Sequence, residues 1–242
     1  MRRHLSTFLA LLALCLLGTA AFAATSLTTA PVWTDPNVLD SPGEVTPLFG
    51  DRTVTWWTIQ ADFLTGFPGL TMEDWSSSIA GGIVGCTGPV NCSTANECYA
   101  VGDIQCGITF TNLDPINVPG LAYIGAGAVG NPSDMLAVNY FVDGGSLAFA
   151  PAVNAVGIQW DNTYAGGLPI TVNVYSGATL IGSAVVNGGN PFFTGISSDA
   201  DLITSITFIG SGSYLEAVNT TWFGLFTTAV ETASFSTVKN LY

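Results

Sequence analysis

The chain has 242 residues, of which 17 are Asp or Glu against four Lys or Arg and one His, a formal charge of −13, and 48% are hydrophobic. An acidic excess of this size repels phosphate backbones, so no nucleic-acid partner is expected. The apolar content is too high for a disordered chain. His4, Arg2 and Arg3 all fall in the first 23 residues, which leaves Arg52 and Lys239 as the basic residues downstream. Ser-His-Asp and Cys-His chemistry then have no base, and phosphate or Schiff-base chemistry has almost no cation to use.

Residues 1–23 read as a secretory signal peptide. Arg2 and Arg3 form the positive end, Phe8 to Leu17 an apolar run, and Ala21-Phe22-Ala23 a small-x-small cleavage pattern. That run is shorter than the roughly 18 residues a membrane helix needs, so no transmembrane anchor is predicted. The expected location is secreted, extracellular. Residues 24–52, with prolines at 31, 36, 42 and 47, read as an extended N-terminal arm, expected to fold back on its own sandwich or stay mobile rather than add a strand to a neighbouring molecule.

Residues 53–230 read as an all-β domain, an antiparallel β-sandwich, followed by a tail over 231–242. Short β-prone runs are predicted over 53–59, 70–75, 106–111, 136–142, 146–150, 155–160, 170–175, 180–186, 192–196, 203–209 and 220–227, separated by Gly, Asn and Pro. Val156, Ile158 and Trp160 share one face of a strand, as do Ile170, Val172 and Val174, and Ser176-Gly177-Ala178 reads as a tight hairpin. No window sustains a helical period, and any helix is expected as a turn near 132–136. Within residues 84–107, Cys86, Cys92, Cys98 and Cys106 read as two disulfides stapling an insertion, favoured as Cys86–Cys92 with Cys98–Cys106. A nested pairing is the alternative. Zinc is disfavoured because the spacing is wrong and no histidine is near.

Residues 156–160 (VGIQW), 170–182 (ITVNVYSGATLIG), 192–208 (FFTGISSDADLITSITF) and 217–224 (AVNTTWFG) resemble, segment by segment, a domain of exported bacterial proteins of the PEP-CTERM type. Leu70 to Trp75 (LTMEDW) resembles the strand that often opens that domain, and Cys106 to Phe110 the one after it. The resemblance implies a jelly-roll-like sandwich and a surface or matrix location. It implies no activity, and no sorting anchor of the family's kind is expected, since residues 231–242 carry no Pro-Glu-Pro motif.

Carboxylates and aromatics remain as candidate site residues. Glu73 and Glu216 are the fallback candidates for a glycoside hydrolase or lyase, which would need a second acid facing one of them at roughly 5–9.5 Å. A strand over 70–75 places Asp74 with Met72 on the expected core side and Glu73 with Trp75 on the other. Asp161, Asn162, Asp199 and Asp201 carry hard oxygen ligands at strand ends and suit a structural calcium; no other cofactor is expected. Trp33, Trp57 and Tyr164 are candidate platforms for a sugar ring, whereas Trp160 and Trp222 read as core. The favoured function is a non-enzymatic surface or matrix module that binds polysaccharide or other surface proteins, or self-associates through its arm.

Overall fold

A computed structural model describes residues 44–48, 54–114, 116–139, 144–161, 169–210 and 216–226. The leader, most of the arm and the C-terminal tail lie outside these residues. Among the described residues the first half contributes strands β1 (Glu44–Pro47), β2 (Val54–Trp57), β3 (Thr71–Glu73), β4 (Ile83–Cys86), β5 (Val90–Asn91), β6 (Ile108–Asn112), β7 (Leu121–Ile124) and β8 (Met135–Val138), with one helix, α1 (Gln60–Gly66). The second half contributes β9 (Gly145–Val153), β10 (Ala155–Asp161), β11 (Ile170–Ser176), β12 (Thr179–Asn187), β13 (Phe192–Ser198), β14 (Ile203–Gly210) and β15 (Ala217–Gly224).

These strands form two antiparallel sheets packed as a β-sandwich. One runs β1-β12-β11-β14-β9-β6-β5, and the other runs β2-β13-β10-β15-β8-β7-β4, with β3 also paired to β15. From β9 onward the chain passes repeatedly from one sheet to the other, with only the β11–β12 hairpin staying in place, which is the jelly-roll-like wiring the sequence led us to expect. The strands of the seven-stranded sheet alternate: Ile170, Val172 and Val174 are buried, and their neighbours are half-exposed. Their buried faces meet Val156, Ile158 and Trp160 of β10 in the main core.

The eight-stranded sheet is covered on both faces, and every residue of β10 and β13 is buried. On its outer face α1 lays Phe63 against Ala155, Phe193 and Trp222, with Trp57, Leu64, Phe67 and Leu70 around it. Trp222 therefore belongs to this outer cluster, while Trp160 lies in the main core as expected. Phe63 reaches the sheet because Gly157 and Gly195 present no side chain. A Cβ on either would stand 2.9 or 2.6 Å from its ring. We expect Gly195→Val to lower unfolding free energy by about 1–3 kcal/mol through overpacking, measured by urea denaturation. Further along the same face, the loop 125–134 covers a third cluster built from Ile124, Met135, Ala137 and Ala217.

One expectation holds: residues 44–47 of the arm form β1 and pair with β12 of the same molecule, from Glu44↔Asn187 to Pro47↔Ala184. Two others change. The stretch 132–136 is a bend running into β8, and α1 is instead at 60–66, too short for a periodic signal. Finally, residues 84–107 are no insertion outside the sandwich. They carry β5 and nearly all of β4, each terminal in its sheet, and send Cys86, Val90, Cys98, Tyr99 and Ile104 into the main core.

Candidate functional site

The four cysteines form two disulfides in the interleaved pattern, Cys86–Cys98 and Cys92–Cys106. Neither the local pairing nor the nested one occurs. β4 and β5 belong to different sheets, so the chain crosses the sandwich edge between Cys86 and Cys92. Each cysteine then finds its partner on the returning segment.

Glu73 is the anchor of that segment. Its Oε1 accepts the Trp75 N–H at 2.7 Å and its Oε2 accepts the Gln105 N–H at 2.7 Å, one residue before Cys106. Burial raises its pKa above the ordinary value, outweighing the main-chain N–H groups of Gln105, Trp75 and Asp74 that favour the charged form. Trp75 is in the left-handed region at φ 57 with its ring buried, and Tyr99 donates its hydroxyl to the Trp75 carbonyl at 3.3 Å. The expected facing is thus reversed: Glu73 is buried and Met72 is exposed. Pairing with β15 sets Glu73 opposite Thr221 on the core side and Met72 opposite Trp222 on the outer side.

Glu216 is also buried, and its Oε1 accepts the Gly210 N–H at 2.7 Å. It precedes β15, whereas Glu73 pairs with Thr221, five residues further along. At about 3.3 Å per residue their backbones are roughly 17 Å apart. With each carboxylate committed to its own main-chain donors, they do not form the pair a glycosidase requires.

The calcium candidates separate as well. β10 and β13 are antiparallel, with Ala155 opposite Ser197 and Trp160 opposite Phe192. Asp161 therefore lies at one end of β10, and the turn holding Asp199 and Asp201 lies at the other, about 20 Å away. Asp199 is exposed, and Asp201 donates its N–H to Ser198 Oγ at 3.2 Å. Asn162 lies outside the described residues, as do Trp33 and Tyr164. Among the described residues no three His, Cys, Asp or Glu side chains gather to hold a metal. Trp57 is half-buried, its Nε1 donating to Ser197 Oγ at 3.0 Å and its ring meeting Phe63 and Phe67 edge-on, so it offers no open platform.

What the fold does form is a shallow pocket of about 250 Å³ at the disulfide-bonded edge. Thr87 and Pro89 come from the crossing between β4 and β5, Thr111 and Asn112 from the end of β6, and Asn117 and Val118 from the loop before β7. Gly88 and Gly120 complete the lining. Gly120 is required there, because a Cβ on it would land on the Asn112 side chain. Asn112 Nδ2 donates to the Asp114 carbonyl, and Asn117 Nδ2 donates to Asp114 Oδ2 at 3.4 Å. Behind the rim, Glu97 accepts the Thr87 N–H at 2.8 Å and its hydroxyl at 3.0 Å, and the main-chain contact holds its carboxyl below the usual range. The lining thus presents hydroxyls and amides and no ionisable side chain. No sequence pattern pointed to it, because its walls come from two separate crossings between the sheets, β4 to β5 and β6 to β7.

No protein family, curated protein or solved structure matches the chain. No helix among the described residues is long and apolar enough to cross a membrane.

Proposed function

We propose that the protein is a secreted, non-enzymatic module that binds neutral polysaccharide at the pocket between Thr87 and Gly120. One observation carries the reading: the lining offers hydrogen-bonding hydroxyls and amides beside the apolar faces of Pro89 and Val118, with no acid or base among them. Such a surface matches sugar hydroxyls and C–H groups. The acidic chain disfavours uronate and sulfated polymers, which leaves neutral ones. Two disulfides suit an oxidising, exported setting, and the resemblance to exported PEP-CTERM-type proteins points the same way.

Affinity electrophoresis through gels containing neutral glucan, mannan or galactan tests this reading. Wild type is expected to be retarded in at least one gel. Gly120→Val, which drives a side chain onto Asn112, is expected to migrate as in an empty gel while keeping the wild-type circular dichroism spectrum. Equal mobility of both proteins in every gel removes the pocket from consideration.

A further inference from the structure

Thr111 lines the pocket and also stands on the outer face of the seven-stranded sheet, since its neighbour Phe110 points into the main core. Residues directly opposite one another on neighbouring antiparallel strands share a face. Thr111 of β6 lies opposite Ser146 of β9, Ser146 opposite Thr207 of β14, and Thr207 opposite Asn173 of β11. All four are half-exposed, while Phe110, Leu147, Phe208 and Val172 beside them along the strands are buried. They form one continuous row of hydroxyls and an amide, leading from the pocket across β6, β9, β14 and β11. At its far end Ser183 of β12, opposite Asn173, donates its hydroxyl to Asn173 Oδ1 at 2.7 Å and sets the orientation of that amide.

The borders of the row have the same character. On one side stand Thr109, Ala148, Ser205 and Tyr175, and on the other Ile209, Thr171 and Val185. None of these side chains is charged, in a chain with 17 Asp or Glu. Thr, Ser and Asn offer donors and acceptors together, and Ala148, Tyr175 and Ile209 offer apolar faces to C–H groups. A protein partner would find little to grip, because interface anchors are aromatic side chains and Arg rather than Ser or Thr. The spacing suits a sugar chain. Neighbouring strands lie about 4.8 Å apart, close to the length of one pyranose residue in an extended chain, so the row spans about 14 Å from Thr111 to Asn173. Each strand is also turned by about 20–25° from the last. A single glycan chain can follow that turn, and the flat face of a crystalline polymer cannot.

We infer that the outer face of the seven-stranded sheet extends the pocket as a track for a single, linear, neutral glycan chain. Ser146, Thr207 and Asn173 meet the sugar residues that follow the one held in the pocket beside Thr111. The inference rests on the reading of the pocket as a sugar site and adds the form of the ligand, a stretch of about four residues.

Titration with end-labelled gluco-, manno- and galacto-oligosaccharides of graded length, followed by fluorescence anisotropy, tests the track. For the sugar that binds, wild-type affinity should climb with length up to about the tetrasaccharide and then level off. Thr207→Val keeps the side-chain shape and removes the hydroxyl. It should weaken tetrasaccharide binding about three- to tenfold and leave disaccharide binding unchanged, and Thr207→Ser should restore the wild-type value. Ser146→Ala should act in the same direction as Thr207→Val. Gly120→Val should weaken every length alike, so the track and the pocket fail separately. Affinity that stops rising at the disaccharide, or a tetrasaccharide bound equally by wild type and Thr207→Val, overturns the track while Gly120→Val still reports on the pocket. Loss in Thr207→Val with none in Gly120→Val keeps the row and removes the pocket. A sugar-independent dimer that Thr207→Arg breaks would assign the face to a second copy of the chain and overturns the track, as does the absence of binding to every oligosaccharide.

Discussion

Replacing Glu73 with glutamine should lower the unfolding free energy by about 1–3 kcal/mol at neutral pH. Both carboxylate oxygens accept main-chain N–H groups, from Trp75 and Gln105. A glutamine keeps one acceptor and turns an NH₂ group against the other donor. Its loss also frees Trp75, whose left-handed backbone the Oε1 contact helps to hold. The pH dependence has a definite sign. Burial raises the Glu73 pKa in the folded state, so the folded protein binds this proton more tightly than the unfolded chain does. The Glu73 contribution therefore grows as pH falls through the raised folded pKa toward the ordinary 4.5, and is constant below that. Urea unfolding of wild type and Glu73→Gln across this window should show the gap between them widening on acidification. A gap that narrows would mean that the main-chain N–H groups outweigh burial.

Removing either disulfide should cost about 3 kcal/mol, since each joins cysteines 12 or 14 residues apart. The Cys86→Ser, Cys98→Ser protein should keep its remaining pair, because Cys92 and Cys106 are partners in the interleaved pattern. With the leader and its Cys15 removed, it should contain no free thiol, and cleavage after Glu97 and before Asp103 should leave the Cys92 and Cys106 fragments joined. Removing both bonds should be worse than the sum, since they fasten the terminal strands of both sheets. Thiol titration and chemical denaturation read both outcomes. Two free thiols in the double variant would restore the local or nested pairing.

The second half of the fold was legible because its strands alternate: the seven-stranded sheet buries one face and leaves the other half-exposed, and Ile170, Val172 and Val174 record that directly. The eight-stranded sheet weakens the same signal. With α1 and the loop 125–134 on its outer face, β10 and β13 are buried throughout, and their glycines mark where Phe63 approaches. α1 has seven residues, no side-chain cap at Ile59 and one fully buried side chain, which gives periodicity nothing to register. The short strands β4, β5 and β7 are held by pairing and disulfides and carry no strong pattern of their own.

The candidate site was less legible. Glu73 was singled out from the sequence, yet its facing depends on the register of three residues against β15. The same register keeps it from Glu216. The disulfide connectivity depends on β4 and β5 belonging to different sheets, which local spacing cannot express. The pocket and the row from Thr111 to Asn173 each combine residues from distant segments, brought together by strand pairing.

The most direct measurement incubates the protein with a fluorescently end-labelled neutral polysaccharide that retards it, and reads retention and polymer length together by size-exclusion chromatography. Wild type and Glu216→Gln should both carry the label at unchanged length, and Gly120→Val should release it. Polymer shortened by wild type but not by Glu216→Gln, or retention undiminished in Gly120→Val, would contradict a binding module centred on the pocket.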